Sequence, residues 1–168
     1  MKKIALASAI ALASITAAHA APTVYGKVLL TGEYTDVDDK TAANKDTSTT
    51  KLVSNFSRIG FKGEDDLTDT TKLVYQLEYG IDVDADTNGK GQFYSLDTYV
   101  GLAHNTLGTV LAGRHDTPLK LVQNKVDVFN DTLFDMANAG VSGENRANNV
   151  LAYQSPALVG MPVTFMVA

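Results

Sequence analysis

The sequence predicts an all-β chain of long antiparallel strands, the beginning of a transmembrane β-barrel, on three observations. Apolar and polar residues alternate with period two over runs of about a dozen positions, the length of a tilted membrane-crossing strand. Beyond residue 20 the chain is rich in Gly, Thr, Asn and Asp and poor in strong helix formers, a composition that favours strands and turns. The links between strand-like runs alternate between short and long, as periplasmic turns and external loops do in a barrel.

The N-terminus reads as an export signal. Met1-Lys2-Lys3 is a basic start, Ile4 to Thr16 is apolar and small, and Ala18-His19-Ala20 fits a small-residue cleavage rule. Cleavage is expected between Ala20 and Ala21, leaving residues 21–168 as the N-terminal part of the barrel domain. The apolar run is too short for a comfortable membrane helix, and no other stretch approaches the ~18 apolar residues that one needs.

Val24 to Thr35 is the first strand-like run, with Val24, Val28, Leu30 and Tyr34 on one phase and Lys27, Thr31 and Glu33 on the other. After a connection from Asp36 to Thr50, Leu52 to Gly63 sets Val53, Ile59 and Phe61 against Arg58 and Lys62, and Glu64-Asp65-Asp66 reads as a turn. Thr71 to Val83 is the clearest run: Leu73, Tyr75, Leu77, Tyr79 and Ile81 alternate with Lys72, Gln76, Glu78 and Asp82. Gln92 to Ala103 is strand-like with no consistent phase. A link at His104 to Gly108 leads to Thr109–Arg114, then a long connection from His115 to about Asn145, and strand-like runs at Asn148–Gln154 and Pro162–Ala168.

Composition excludes several function classes. With no cysteine there are no disulfides, thiolate metal sites or cysteine nucleophiles. A net charge of -5 with mixed signs gives no basic stripe for nucleic acid. His104, His115 and Asp116 are the set that suggests catalysis, but no serine elbow, phosphate loop or metal spacing accompanies them, so no enzyme and no cofactor is expected.

Ser57-Arg58-Ile59-Gly60-Phe61-Lys62-Gly63-Glu64-Asp65, followed by Tyr75-Gln76-Leu77-Glu78, resembles the second and third strands of the general trimeric porins of Gram-negative bacteria. Val100-Gly101-Leu102 with Gly108-Thr109-Val110 resembles the hairpin before their pore loop, and Gly113-Arg114 to Asn130-Asp131 the loop itself. The match continues through Asn145-Arg146 and Tyr153-Gln154-Ser155-Pro156. The resemblance implies a sixteen-stranded antiparallel barrel, usually a homotrimer in outer-membrane lipid, whose third external loop folds inward and narrows a channel for ions and small hydrophilic solutes. About seven strands are visible, an odd number without a closing strand, so the chain is expected to be an N-terminal fragment of such a barrel.

By the same resemblance Arg58, Arg114 and Arg146 are wall bases and Asp127 and Asp131 loop acids, with Lys62 on the phase of Arg58. Acids facing bases set up a transverse field that orients polar solutes. Plainer roles stand beside these: solvated strand charges for Arg58 and Lys62, turn or cap roles for the two aspartates, and a local pair with Glu144 for Arg146. Family members often carry a further wall Arg where Leu96 and Asp97 stand here, which weakens the expected basic side. The alternative fold is a soluble periplasmic or secreted β-sandwich used for binding or adhesion. Its strands would run about five to six residues, half the length of Thr71–Val83.

Overall fold

The computed structural model describes residues 21–37, 47–84, 92–123, 126–132, 135–136, 140, 143–157 and 166–167. The expected signal residues through Ala20 lie outside these, and Ala21 is the first described residue, exposed to solvent. Among the described residues nine strands and one short helix are formed: β1 (Thr23–Lys27), β2 (Leu30–Val37), β3 (Thr47–Ser54), β4 (Arg58–Thr68), β5 (Thr71–Ile81), β6 (Phe93–His104), β7 (Gly108–Asp116), α1 (Pro118–Gln123), β8 (Arg146–Gln154) and β9 (Met166–Val167). A seven-stranded sheet runs β1-β4-β5-β6-β7-β8-β9 with every neighbour antiparallel, and β2-β3 forms a separate ribbon. The sheet does not close on itself; β1 and β9 are its edges.

Strands β4 and β5 have 11 residues each and β6 has 12, about what a tilted bilayer crossing requires and twice what a sandwich strand usually spans. Their two faces differ in kind. Val24, Phe61 and Leu77 are mutual cross-strand partners, and Val100, Ala112 and Leu151 continue that face. The large apolar members are exposed, Leu151 by 70% and Val24 by 60%. The opposite face carries Tyr25, Gly60 and Glu78 in one cross-strand row and Lys27, Arg58, Gly80 and Tyr94 in another. Apolar burial among the described residues is confined to Leu96, Leu111 and Ala152, whereas Ser57, Glu78, Asp116, Gln123, Asp131 and Asp135 are buried polar groups. Apolar residues out and polar residues in is the pattern of a strand with lipid on one side and water on the other.

The single run expected over Val24–Thr35 is instead two strands, broken at Val28-Leu29, and its partner breaks at Asn55–Ser57. Ser57, fully buried, holds the break: its Oγ accepts from Leu29 N at 3.0 Å and donates to Leu29 O at 3.3 Å. Phe56 adopts φ +50° there, a conformation that interrupts the ladder. Glu64-Asp65-Asp66 is not a turn. These residues extend β4 to Thr68 because Lys72, the direct partner of Asp66, pairs with Glu64 at 2.5 Å and Asp66 at 3.6 Å, relieving the charge run within the ladder.

The uncertain phase of Gln92–Ala103 has a physical cause. Ser95 pairs with Tyr79 and Thr98 with Leu77, so Leu96 and Asp97 together oppose Glu78 in a β-bulge. One extra residue reverses the alternation midway, which brings both Tyr94 and Tyr99 to the inner face despite their odd spacing.

Candidate functional site

The segment after β7 folds back over the inner face. Thr117 precedes Pro118 at the start of α1, its Oγ accepting from Lys120 N at 3.4 Å, the side-chain cap and N-terminal proline that open a helix. The neck is closed by Thr117 N donating to Asn145 O at 3.0 Å and Thr117 Oγ donating to Gly143 O at 2.7 Å. Glu144 on the return limb accepts from Lys120 Nζ at 2.8 Å and Gln123 Nε2 at 2.6 Å, which ties α1 down. The helix lies within the long connection expected from His115 to about Asn145. Lys125, Leu133 and Phe134, read as parts of the same loop, lie outside the described residues.

The loop reaches the wall at Asp131, which adopts φ +64° at its turn and whose N–H donates to Asp135 Oδ2 at 2.8 Å. Its carboxylate takes both oxygens to Arg58 Nη2, at 2.9 and 2.8 Å, and is also bonded by Lys27 Nζ. Arg58 in turn lies 3.5 Å from Glu78, which accepts from the Tyr25 hydroxyl at 2.8 Å. The pairing is feasible because two glycines clear the wall. A Cβ on Gly60 would sit 2.3 Å from the Tyr25 ring, and one on Gly80 would sit 2.2 Å from the Tyr94 ring, so both rings lie flat against bare backbone.

A second cluster lies farther along the wall. Arg146 Nε is 3.2 Å from Asp97 Oδ1 and 3.0 Å from Asp116 Oδ1, and Asp97 Oδ1 also accepts the N–H of Asp116 at 3.1 Å. Asp116 and Arg146 are direct cross-strand partners. Arg114 follows Gly113, whose φ of +144° departs from the strand pleat; its Nε donates to Ser95 O at 3.2 Å and its Nη1 to Asn148 Oδ1. Between loop and wall is a cavity of about 570 Å³ lined by Arg58, Arg114 and Arg146, by Asp131 and by Glu78, Asp97 and Asp116.

Of the residues expected at the site, Arg58, Arg114, Asp131 and Arg146 therefore meet around one cavity. Lys62 shares the face of Arg58 but is exposed, its ammonium 5.4 Å from the Tyr25 ring centroid. Asp127 serves the loop itself, accepting from Phe129 N at 3.0 Å and Met136 N at 3.2 Å. Arg146 pairs with Asp97 and Asp116, while Glu144 is held by Lys120. His104 and His115 sit at opposite ends of the β6–β7 hairpin, His104 accepting backbone N–H groups in its turn and the His115 ring tilted by 51° against that of Tyr99, centroids 4.9 Å apart. Sequence reasoning placed Lys27 and Glu78 on the polar strand phase without naming them at the site, and did not name Asp97 or Asp116 there. Glu78 was readable, since it shares the polar phase of Lys72 and Gln76.

Three comparisons bear on this arrangement. A family model described as Gram-negative porin matches residues 5–168. The major outer membrane protein P.IB of Neisseria gonorrhoeae is 32% identical over 165 residues, covering 95% of this chain and 46% of that protein. An outer membrane porin protein of Bordetella pertussis is 31% identical over 178 residues with the same coverage of both. Among solved structures, an anion-selective porin from Comamonas acidovorans superposes with a TM-score of 0.61 at 25% identity, over 83% of this chain and 44% of that one. The chain spans about half the length of the curated relatives it matches.

Proposed function

Because the chain belongs to the Gram-negative porin family, we propose that the protein forms a water-filled outer-membrane channel for passive diffusion of ions and small hydrophilic solutes. The observation that carries this is the reach of Asp131 across to Arg58, by which a segment between two wall strands is fastened to the polar inner face. A loop so held narrows the lumen without filling it, and the cavity beside it is lined by charged side chains suited to hydrated solutes. The exposed apolar outer face suits lipid, and family precedent favours a homotrimer. Residues 1–20 serve as the export signal, removed between Ala20 and Ala21.

The constriction in this reading comprises Arg58, Arg114 and Arg146 on the wall with Asp131 from the loop, Asp127 shaping the turn that presents Asp131, and Lys62 near the rim of the same face. The test is planar-bilayer recording of the protein purified from its native outer membrane. Discrete, ohmic conductance steps are expected, and Asp131→Ala is expected to enlarge them by freeing the loop. A preparation that inserts and never conducts would overturn the channel reading. Intact mass of the same preparation tests the export signal, which predicts Ala21 as the first residue.

A further inference from the structure

Charge around the cavity is not divided into a basic wall and an acidic loop. Among the described lining residues, four bases face six carboxylates: Glu78, Asp97 and Asp116 stand on the wall, and Asp131, Asp135 and Glu144 belong to the loop or its return limb. Counting Lys27, which reaches in to Asp131, the balance is five against six. Arg114, hydrogen-bonded to the neutral Ser95 O and Asn148 Oδ1, and Asp135 contribute one base and one acid and cancel in this sum; the other charges fall into groups. Arg58 and Lys27 together match Glu78 and Asp131, and Lys120 matches Glu144. Arg146 alone faces two acids of its own wall, Asp97 and Asp116.

Resting on the channel reading above, we propose that Asp97 is a selectivity-determining residue, which turns the Arg146 position from a basic wall site into a net acidic one and makes the constriction favour cations. The β-bulge at Leu96-Asp97 is the device. An extra residue re-aims the side chain at that point, and Asp97 lands where it reaches both Arg146 Nε and the N–H of Asp116. A guanidinium between two carboxylates has its positive charge cancelled and one negative charge left over, and in a narrow water-filled passage with low-dielectric walls a single uncompensated charge weights the local ion population toward counter-ions. Without Asp97, Arg146 and Asp116 would balance, and the described lining residues with Lys27 would stand at five bases against five carboxylates.

The test is the reversal potential of the protein from its native outer membrane in a planar bilayer under a potassium chloride gradient. Wild type is expected to pass potassium in preference to chloride. Asp97→Asn, which keeps the shape and removes the charge, is expected to lower the potassium-to-chloride permeability ratio by about two- to fivefold, the scale of one unit charge a few ångströms from an ion in water. Asp97→Glu is expected to restore the wild-type ratio, and Asp116→Asn removes a charge from the same pair should Asp97→Asn fail to assemble. A chloride-preferring wild type, or a ratio that neither neutral variant moves, overturns the proposal while leaving the channel standing. Absence of any conductance overturns the channel reading and this proposal with it.

Discussion

Two arginines on the same wall are each held by two carboxylates, and the difference between them separates mechanical from electrostatic work. Arg58 takes one acid from the wall, Glu78, and one from the loop, Asp131, so its pairing is a tether across the cavity. Arg146 takes both from the wall, Asp97 and Asp116, so its pairing fastens strands to each other and leaves the loop untouched. Geometry differs as well. Both Asp131 oxygens converge on one Arg58 nitrogen at 2.8 and 2.9 Å, whereas Arg146 meets its acids through Nε alone at 3.2 and 3.0 Å.

The largest expected effect is that of Arg58→Ala. It leaves Glu78 and Asp131 buried beside one remaining lysine, and loss of one member of a buried ion pair costs about 3–5 kcal/mol. Urea unfolding in lipid vesicles should show a loss near the top of that range, and limited proteolysis should cut the segment between Thr117 and Asn145 faster than in wild type. Arg146→Ala should fall near the bottom of the same range, ~3 kcal/mol, with the loop as protease-resistant as before. If both variants release the loop equally, the contrast between tether and wall clasp is wrong.

Smaller changes sharpen it. Gly80→Ala places a methyl against the Tyr94 ring beside Arg58 and should cost about 1–3 kcal/mol by overpacking; Gly80→Ala combined with Tyr94→Ala should recover most of that in the same unfolding assay. Thr117→Ala removes the cap of α1 and one bond of the loop neck, for about 1 kcal/mol. Hydrogen exchange should locate that loss in α1 and the Gly143–Asn145 limb, with the Arg58–Asp131 contact retained.

Much of this was legible in the residues, and the failures share a cause. Period two over Thr71–Ile81 identified β5 and its faces because its own alternation is unbroken, the extra residue of the bulge belonging to β6. Arg58 was legible for the same reason, standing on a strand phase of charges opposite Ile59 and Phe61. Asp97 was not, because its aim depends on a bulge, and a bulge is a relation between two strands that neither sequence run contains. Asp116, first met as a partner for His115, turned out to be a strand end facing Arg146, a pairing set by a second register shift between Gly113 and His115. The breaks at Val28-Leu29 and Asn55–Ser57 also escaped a one-dimensional reading, since the Ser57 hydroxyl that bridges them joins residues 28 apart in sequence.

The alternation that gives the sheet its two faces has a further consequence for how such a chain travels. Because polar residues and glycines are interleaved with the apolar ones along the strands, hydrophobicity is diluted along the thread, and the mean hydropathy of the chain is only -0.04. A helical span concentrates its greasiness in about 20 consecutive residues and is retained by the first bilayer it meets. Here the equivalent surface is assembled only when neighbouring strands align Val24 with Phe61 and Val100 with Ala112. Beyond residue 20 an unfolded copy thus presents no continuous apolar span of the kind a bilayer retains, and the lipid-facing surface comes into being only with strand pairing.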